Sequence, residues 1–422
     1  MRRTSSNDRS ESLETEQGRT PQPRSGWGAI WGLALGATAM VTAQFLPISL
    51  LTPIARDLAI SEGVAGQTVT APAALGLVVS LVIAVATRGL DRRRLLIGLA
   101  LLLGVSNLVT AVAPNLPLLL AGRMLMGVCL GAFWPFAPAL VMRLVPAGSV
   151  SRALSIIFGG VAISGIASAP LASVLGEWIG WRGVFGCAAG LAILALIWQW
   201  VALPSLPQQE PARFATLINL LKRSDVRIGL GAVILSFAGH NAFFTYVRPF
   251  LENVTHVNVT ELTLILLVFG VAGFIGNSLS GLLLNWNLSR TIALMCLLMS
   301  LLAVGLTFFG EVPGVVTAIL ASWGFANGIV PVGWNTWLTR TFRDDAESGG
   351  GLFVATAQLA IMTGAAVGGM VIDGIGPLGT VVAGGVLLVL AAGVIAFGVR
   401  PMDGDPVAIA HTSQDPVNVS QA

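Results

Sequence analysis

Twelve long apolar stretches constrain this chain more than any other feature. They run near 28–52, 64–86, 95–113, 117–143, 153–176, 182–203, 229–252, 259–284, 290–309, 314–338, 350–372 and 377–399. Each can cross the roughly 30 Å of hydrocarbon in a bilayer, which takes about 20 helical residues. They are about twice as long as a membrane-barrel strand, and lipid leaves an open backbone without partners, so the stretches are predicted to be helices. Charged residues make up only 10% of the 422, against about 25% in a soluble domain. This excludes a soluble enzyme, and 55% hydrophobic content excludes a disordered chain.

Charge predicts the orientation. Nineteen of the 23 basic residues fall in the tail 1–26 or in alternate connections. The exceptions are Arg56, Arg123, Arg182 and Arg248. Positive charge collects in cytoplasmic loops, so both termini are predicted to be cytoplasmic. The same bias removes any need for a nucleic-acid partner. The longest internal polar segment, 204–228, contains Pro204, Pro207, Pro211 and Lys222-Arg223. It is predicted to be a cytoplasmic linker between helical halves at 27–203 and 229–400, with a disordered tail at 1–26 and a second tail at 401–422. The halves echo each other: Gly127, Gly131 and Arg143 have the same spacing as Gly324, Gly328 and Arg340. Two six-helix halves on a linker is the plan of a secondary transporter.

No G-x-x-x-x-G-K-[ST] loop is present to cradle ATP. His240, His256 and His411 are dispersed, and Cys129, Cys187 and Cys296 are scattered through apolar runs. No metal, cofactor, disulfide framework or enzymatic site is therefore expected.

Some residues stand out against the apolar background. The loop Gly89-Leu90-Asp91-Arg92-Arg93-Arg94 sets an Asp inside an Arg cluster, and Arg143 closes the fourth stretch as a partner for Asp91. Asp91, Arg92 and Arg143 form a candidate cytoplasmic latch. By charge alone the loop also reads as an ordinary positive-inside turn. Arg123 lies within the fourth stretch in Arg123-x-x-x-Gly127-x-x-x-Gly131. An intramembrane arginine is costly and functional by default, although one about two turns in can also snorkel. The fifth stretch carries Gly159, Gly160, Gly165, Pro170 and Gly176, which suit close packing.

Together these features resemble the major facilitator superfamily, drug:proton antiporter branch. The loop at Asp91 looks like a shortened form of its loop signature, with Thr87 where a glycine is expected. Arg123 matches the arginine linked in that branch to proton coupling. The fifth stretch is similar to the antiporter motif, with Ala169 and Ser173 replacing glycines. Three strings, Gln44–Gln67, Gly239–Pro249 and Val330–Trp337, resemble the purine ribonucleoside exporters of the superfamily over about residues 27–400. The resemblance implies an all-α major facilitator fold of two pseudo-symmetric six-helix bundles in a bacterial inner membrane. It also implies monomeric export of a purine nucleoside-like small molecule in exchange for protons. A broader drug or sugar exporter, a facilitator without protons and a non-transporting sensor are the alternatives.

A nucleoside needs aromatic faces for its base and neutral polar groups for its edges. The candidate pathway is Gln44, Phe45, Phe133, Trp134, Phe136, His240, Phe243, Tyr246, Asn327, Trp334, Asn335 and Gln358. Coupling is harder to place. The relatives usually carry glutamate at the position of Gln44, and an amide cannot carry a proton. The proton then uses the peripheral carboxylate Asp57 or His240, or the cargo exchanges without one; Arg123, Arg248 and Asp57 are the candidates for coupling or buried charge.

Overall fold

The computed structural model describes residues 26–87, 89–207, 221–342 and 346–398. The expectations for the two tails and for most of the linker fall outside them. Among the described residues, these α-helices run in chain order: α1 Trp27–Asp57, α2 Glu62–Ala65, α3 Gln67–Ala86, α4 Arg92–Ala111, α5 Leu116–Phe133, α6 Ala137–Leu144, α7 Val150–Ala202, α8 Ser224–Phe244, α9 Val247–Asn253, α10 Val259–Trp286, α11 Leu288–Phe309, α12 Pro313–Thr341, α13 Ala346–Ile375 and α14 Pro377–Gly398. No strand occurs among the described residues.

Among the described residues, eleven helical segments are long and apolar enough to cross a membrane, with α7 counted once. A straight helix of 53 residues would run about 80 Å, far beyond a bilayer. It turns at Gly180, where φ is +70°, a conformation that favours glycine. Two spans therefore lie in α7, making twelve. The fourth stretch departs from expectation in another way. Instead of one helix, α5 and α6 are separated at Trp134–Phe136, where Pro135 has no N–H to continue the ladder. The seventh stretch likewise divides into α8 and α9 at Thr245–Tyr246.

Each half has its own core. One gathers Leu33, Met126, Leu130 and Ile157; the other gathers Phe243, Phe250, Trp323 and Trp334. The glycine echo is structural. A Cβ on Gly127 would strike the Pro72 carbonyl of α3, and one on Gly131 the Gly76 carbonyl. In the second half Gly324 meets the Phe269 carbonyl of α10 in the same way, and Gly328 the Gly273 carbonyl. The equivalent pairs α3–α5 and α10–α12 thus use the same two-glycine approach, which only a missing side chain permits.

The halves meet along α3–α13 and α7–α10. Gly270 packs on Ile166, and Gly351 lies near the Ser80 carbonyl. A third apolar cluster joins the halves at the end of the bundle away from the described termini, bringing Leu50, Leu51 and Ile54 to Tyr246 and Ile372. That end is called the far end below.

Candidate functional site

Arg123 enters α5 about two turns from the far end, yet it does not snorkel. It is only 1% exposed. Its Nε donates to the Thr68 carbonyl at 2.9 Å and its Nη1 to the Ala43 carbonyl at 3.0 Å. A buried charge needs such partners, because desolvation otherwise costs several kcal/mol. The guanidinium thereby ties α5 to α1 and α3 on the turn that carries Gln44. Gln44 and Phe45 are half-buried there, and Phe45 packs on the cluster in which Ile48, Val69 and Ala169 of the first half join the core of the second.

Gln358 of α13 lies across the same divide. A Cβ on Gly76 of α3 would overlap its Nε2, so the glycine makes the notch that seats it. Gln358 is 6% exposed, and its Nε2 has no hydrogen-bond partner among the described residues. Asn327 is half-buried on α12, and Trp134 is half-buried at the α5–α6 break. Trp134 stacks on the exposed Phe158 of α7 with centroids 6.3 Å apart.

Other candidates have different surroundings. Phe243 is fully buried against Trp323 and Phe250. Trp334 is equally buried and donates its indole N–H to Ser236 Oγ at 3.0 Å. Both lie within the core of the second half in this conformation rather than on an open surface between halves. His240 accepts from Trp323 Nε1 at 3.1 Å through Nδ1 and stacks on Phe244. Phe133 packs in the first core and edge-on against Trp134. Phe136 sits under the Arg92 guanidinium, 4.0 Å from ring to Cζ. Asn335 is exposed and donates to the Pro331 carbonyl of its own helix.

The far end is closed by polar contacts between halves. Tyr246 is fully buried and donates to the Ala365 carbonyl at 2.8 Å. A Cβ on Gly66 of the first half would overlap its ring. Arg248 Nη1 donates to the Ser49 carbonyl across the divide, and its Nε donates to Glu252 at 2.7 Å. Asp373 accepts from Ser61 and from the Gly63 backbone N–H. The bonds of Arg248 to Ser49 and of Ser61 and Gly63 to Asp373 thus cross between the halves at this end. Asp57 stays within the first half, paired with Arg182 and accepting from Trp181 Nε1 at 3.3 Å.

At the opposite end, Asp91 meets groups other than the Arg143 expected as its partner. Asp91 caps α4 through Arg93 N at 2.8 Å, and accepts from Leu206 N at 2.9 Å and from the Ser205 hydroxyl. Its carboxylate is occupied by the chain leaving α7, not by α6. The Ser205 hydroxyl, helped by the Leu206 and Arg93 N–H groups, holds the Asp91 carboxyl below the usual carboxylate range. Arg92 Nη1 donates to Thr87 Oγ1 at 2.8 Å, so the threonine found in place of glycine has a partner. Sequence reasoning missed Ser205, Ser61 and Gly66 because their partners are more than a hundred residues away.

The Major Facilitator Superfamily matches residues 33–353. The purine ribonucleoside efflux pump NepI of Salmonella paratyphi C is 45% identical over 377 residues, covering 89% of this chain and 95% of that protein. The transcription regulatory protein OpdE of Pseudomonas aeruginosa is 43% identical over 376 residues, covering 88% and 94%. Among solved structures, the partially occluded inward-open xylose transporter XylE of E. coli aligns with a TM-score of 0.71 at 15% identity, covering 90% of this chain and 99% of that one. A bacterial homologue of the lysosomal transporter Spinster, inward-facing and unoccupied, aligns at 0.67 and 16% identity, covering 89% and 97%. With the family matching most of its length and twelve spans arranged as two glycine-paired halves, the chain is a multi-pass transporter protein that belongs to the Major Facilitator Superfamily.

Proposed function

We propose that this protein exports purine ribonucleosides or close analogues across the cytoplasmic membrane of a bacterium by alternating access, in exchange for protons. The observation that carries the cargo is the 45% identity to a purine ribonucleoside efflux pump over 89% of the chain. The positive-inside bias makes the end carrying the described termini cytoplasmic, so the closed far end faces outward. Cargo then enters from the cytoplasm between the halves 27–203 and 229–400. It meets Phe45, Trp134, Asn327 and Gln358, whose aromatic faces and amides suit a base and a ribose. Arg123 and Gln44 mark the place where relatives pair a carboxylate with the arginine. With an amide at 44, the proton uses another group. The protein works as a monomer, with residues 204–228 as a cytoplasmic linker.

The relative named as a transcription regulator does not change this reading. The described residues form spans and their short connections, and none is a separate helical module for a DNA groove.

The test is cellular. Cells preloaded with labelled inosine are followed with and without the protein, against labelled xylose and a cationic dye. Faster loss of inosine alone supports the reading. Faster loss of the dye or the sugar without inosine removes the cargo assignment and leaves the fold.

A further inference from the structure

On the outside of the second half, α11 and α14 hold a cavity of about 570 Å³ that no step of transport uses. Its origin is the packing of the two helices. Near their middles they are pinned together, because Ser300 Oγ donates to the Gly385 carbonyl at 2.9 Å and Gly385 abuts Ala303. Toward the end carrying the described termini the cavity lies between them. Leu294 and Leu297 of α11 form one wall, and Val389 and Gly393 of α14 form the other. A Cβ on Gly393 would meet nothing within 4 Å, so the glycine opens the floor of the groove.

The mouth is polar. Asn287 and Arg290 line it. Asn287 caps α11 by accepting from the Arg290 backbone N–H at 2.9 Å. The Arg290 side chain is exposed and has no carboxylate partner among the described residues. The positive end of a helix dipole and a guanidinium thus stand together. Below them runs an apolar slot about 10 Å deep, from the rise between Arg290 and Leu297. Each half of this arrangement demands something different. The slot takes hydrocarbon, because its walls are apolar and exposed on spanning helices. The mouth takes an oxyanion at headgroup level, because a guanidinium matches phosphate geometry.

We infer that this groove is a seat for an anionic phospholipid of the leaflet on the side of the described termini, with its phosphate at Arg290 and an acyl chain over Gly393. The complementarity is of charge at the mouth and of shape below it. Basic pockets between spans on the cytoplasmic side suit anionic headgroups. This inference does not depend on the cargo.

The experiment is native mass spectrometry of the full chain carried from bilayers of phosphatidylglycerol and phosphatidylcholine in equal amounts. The wild type is expected to retain one phosphatidylglycerol in preference to phosphatidylcholine. Arg290→Gln should lower that retention about fivefold, the worth of one basic contact at a membrane surface. Gly393→Leu should lower it by filling the slot. Gly281→Leu, at another open glycine of a lipid-facing helix, should leave it unchanged. Equal retention of the two lipids by the wild type would overturn the inference. So would phosphatidylglycerol retention that Arg290→Gln leaves intact, a readout that stands even if Gly393→Leu fails to fold.

Discussion

Asp373 of α13 accepts the Ser61 hydroxyl at 2.7 Å and the Gly63 backbone N–H at 3.0 Å, so a carboxylate from the second half caps the short helix α2 of the first. Ser61 also accepts the Val64 N–H at 3.1 Å, which makes the cap part of α2 itself. Opening the far end must break this contact. Closing it restores the charge at a helix N-terminus, where charge is favoured.

Asp373→Ala should shift the protein toward an open far end. Asp373 and Ser61 are exposed, so their bond contributes about 1 kcal/mol, or about a fivefold change in the ratio of closed to open. Spin labels at Glu177 and Glu311, one in each half and both exposed, report it. A larger long-distance fraction in the variant is expected. Identical distance distributions would show that the cap does not hold the end shut.

Gly66→Ala should prevent full closure. The new Cβ would occupy the place of the Tyr246 hydroxyl, which is buried and bonded to Ala365. Transport should fall severely, and Tyr246→Leu in the same chain should recover part of it by vacating the space. Normal transport by Gly66→Ala alone would mean that Tyr246 yields without cost.

Gln44→Glu should add a titratable group beside the turn where Arg123 holds the Ala43 carbonyl. The pH dependence of transport should change, because a carboxylate there can exchange a proton and an amide cannot. A pH profile superimposable on the wild type would remove this position from coupling.

Asp91→Asn should loosen the chain leaving α7. The bonds to Ser205, Leu206 and Arg93 depress the Asp91 carboxyl. A depressed carboxylate stabilises above its unfolded value, about 3.9, and that contribution fades only as pH falls through the lower folded value. The wild type should therefore resist protease in the segment 204–228 equally at mildly acidic and neutral pH. Asn should increase cleavage at both. Equal cleavage of wild type and variant would count against the staple.

Much of the fold was legible because a bilayer leaves a chain few choices. Apolar runs of span length announced the helices, and the shared spacing of Gly127–Gly131 and Gly324–Gly328 announced the repeat. The site was less legible. An aromatic in a span reads alike whether it faces cargo or a core, and Phe243 and Trp334 proved to be in the core. Asp91 and Arg143 suggested a pair because both lie at the same end of the bundle, whereas the bonds of Asp91 to Ser205 and Leu206 join residues more than a hundred apart. The Asp373–Ser61 contact joins residues 312 apart, and no local pattern carries such a pairing. Arg123 was recognisable as costly, but its two carbonyl partners are backbone atoms without a sequence signature.

The most direct measurement is inosine flux in proteoliposomes of controlled orientation, with and without an imposed pH gradient. Saturable inosine movement that the wild type supports and empty vesicles lack is expected, accelerated when the gradient drives protons against the cargo. Absence of inosine movement under both conditions, in protein that retains its fold, would contradict nucleoside export.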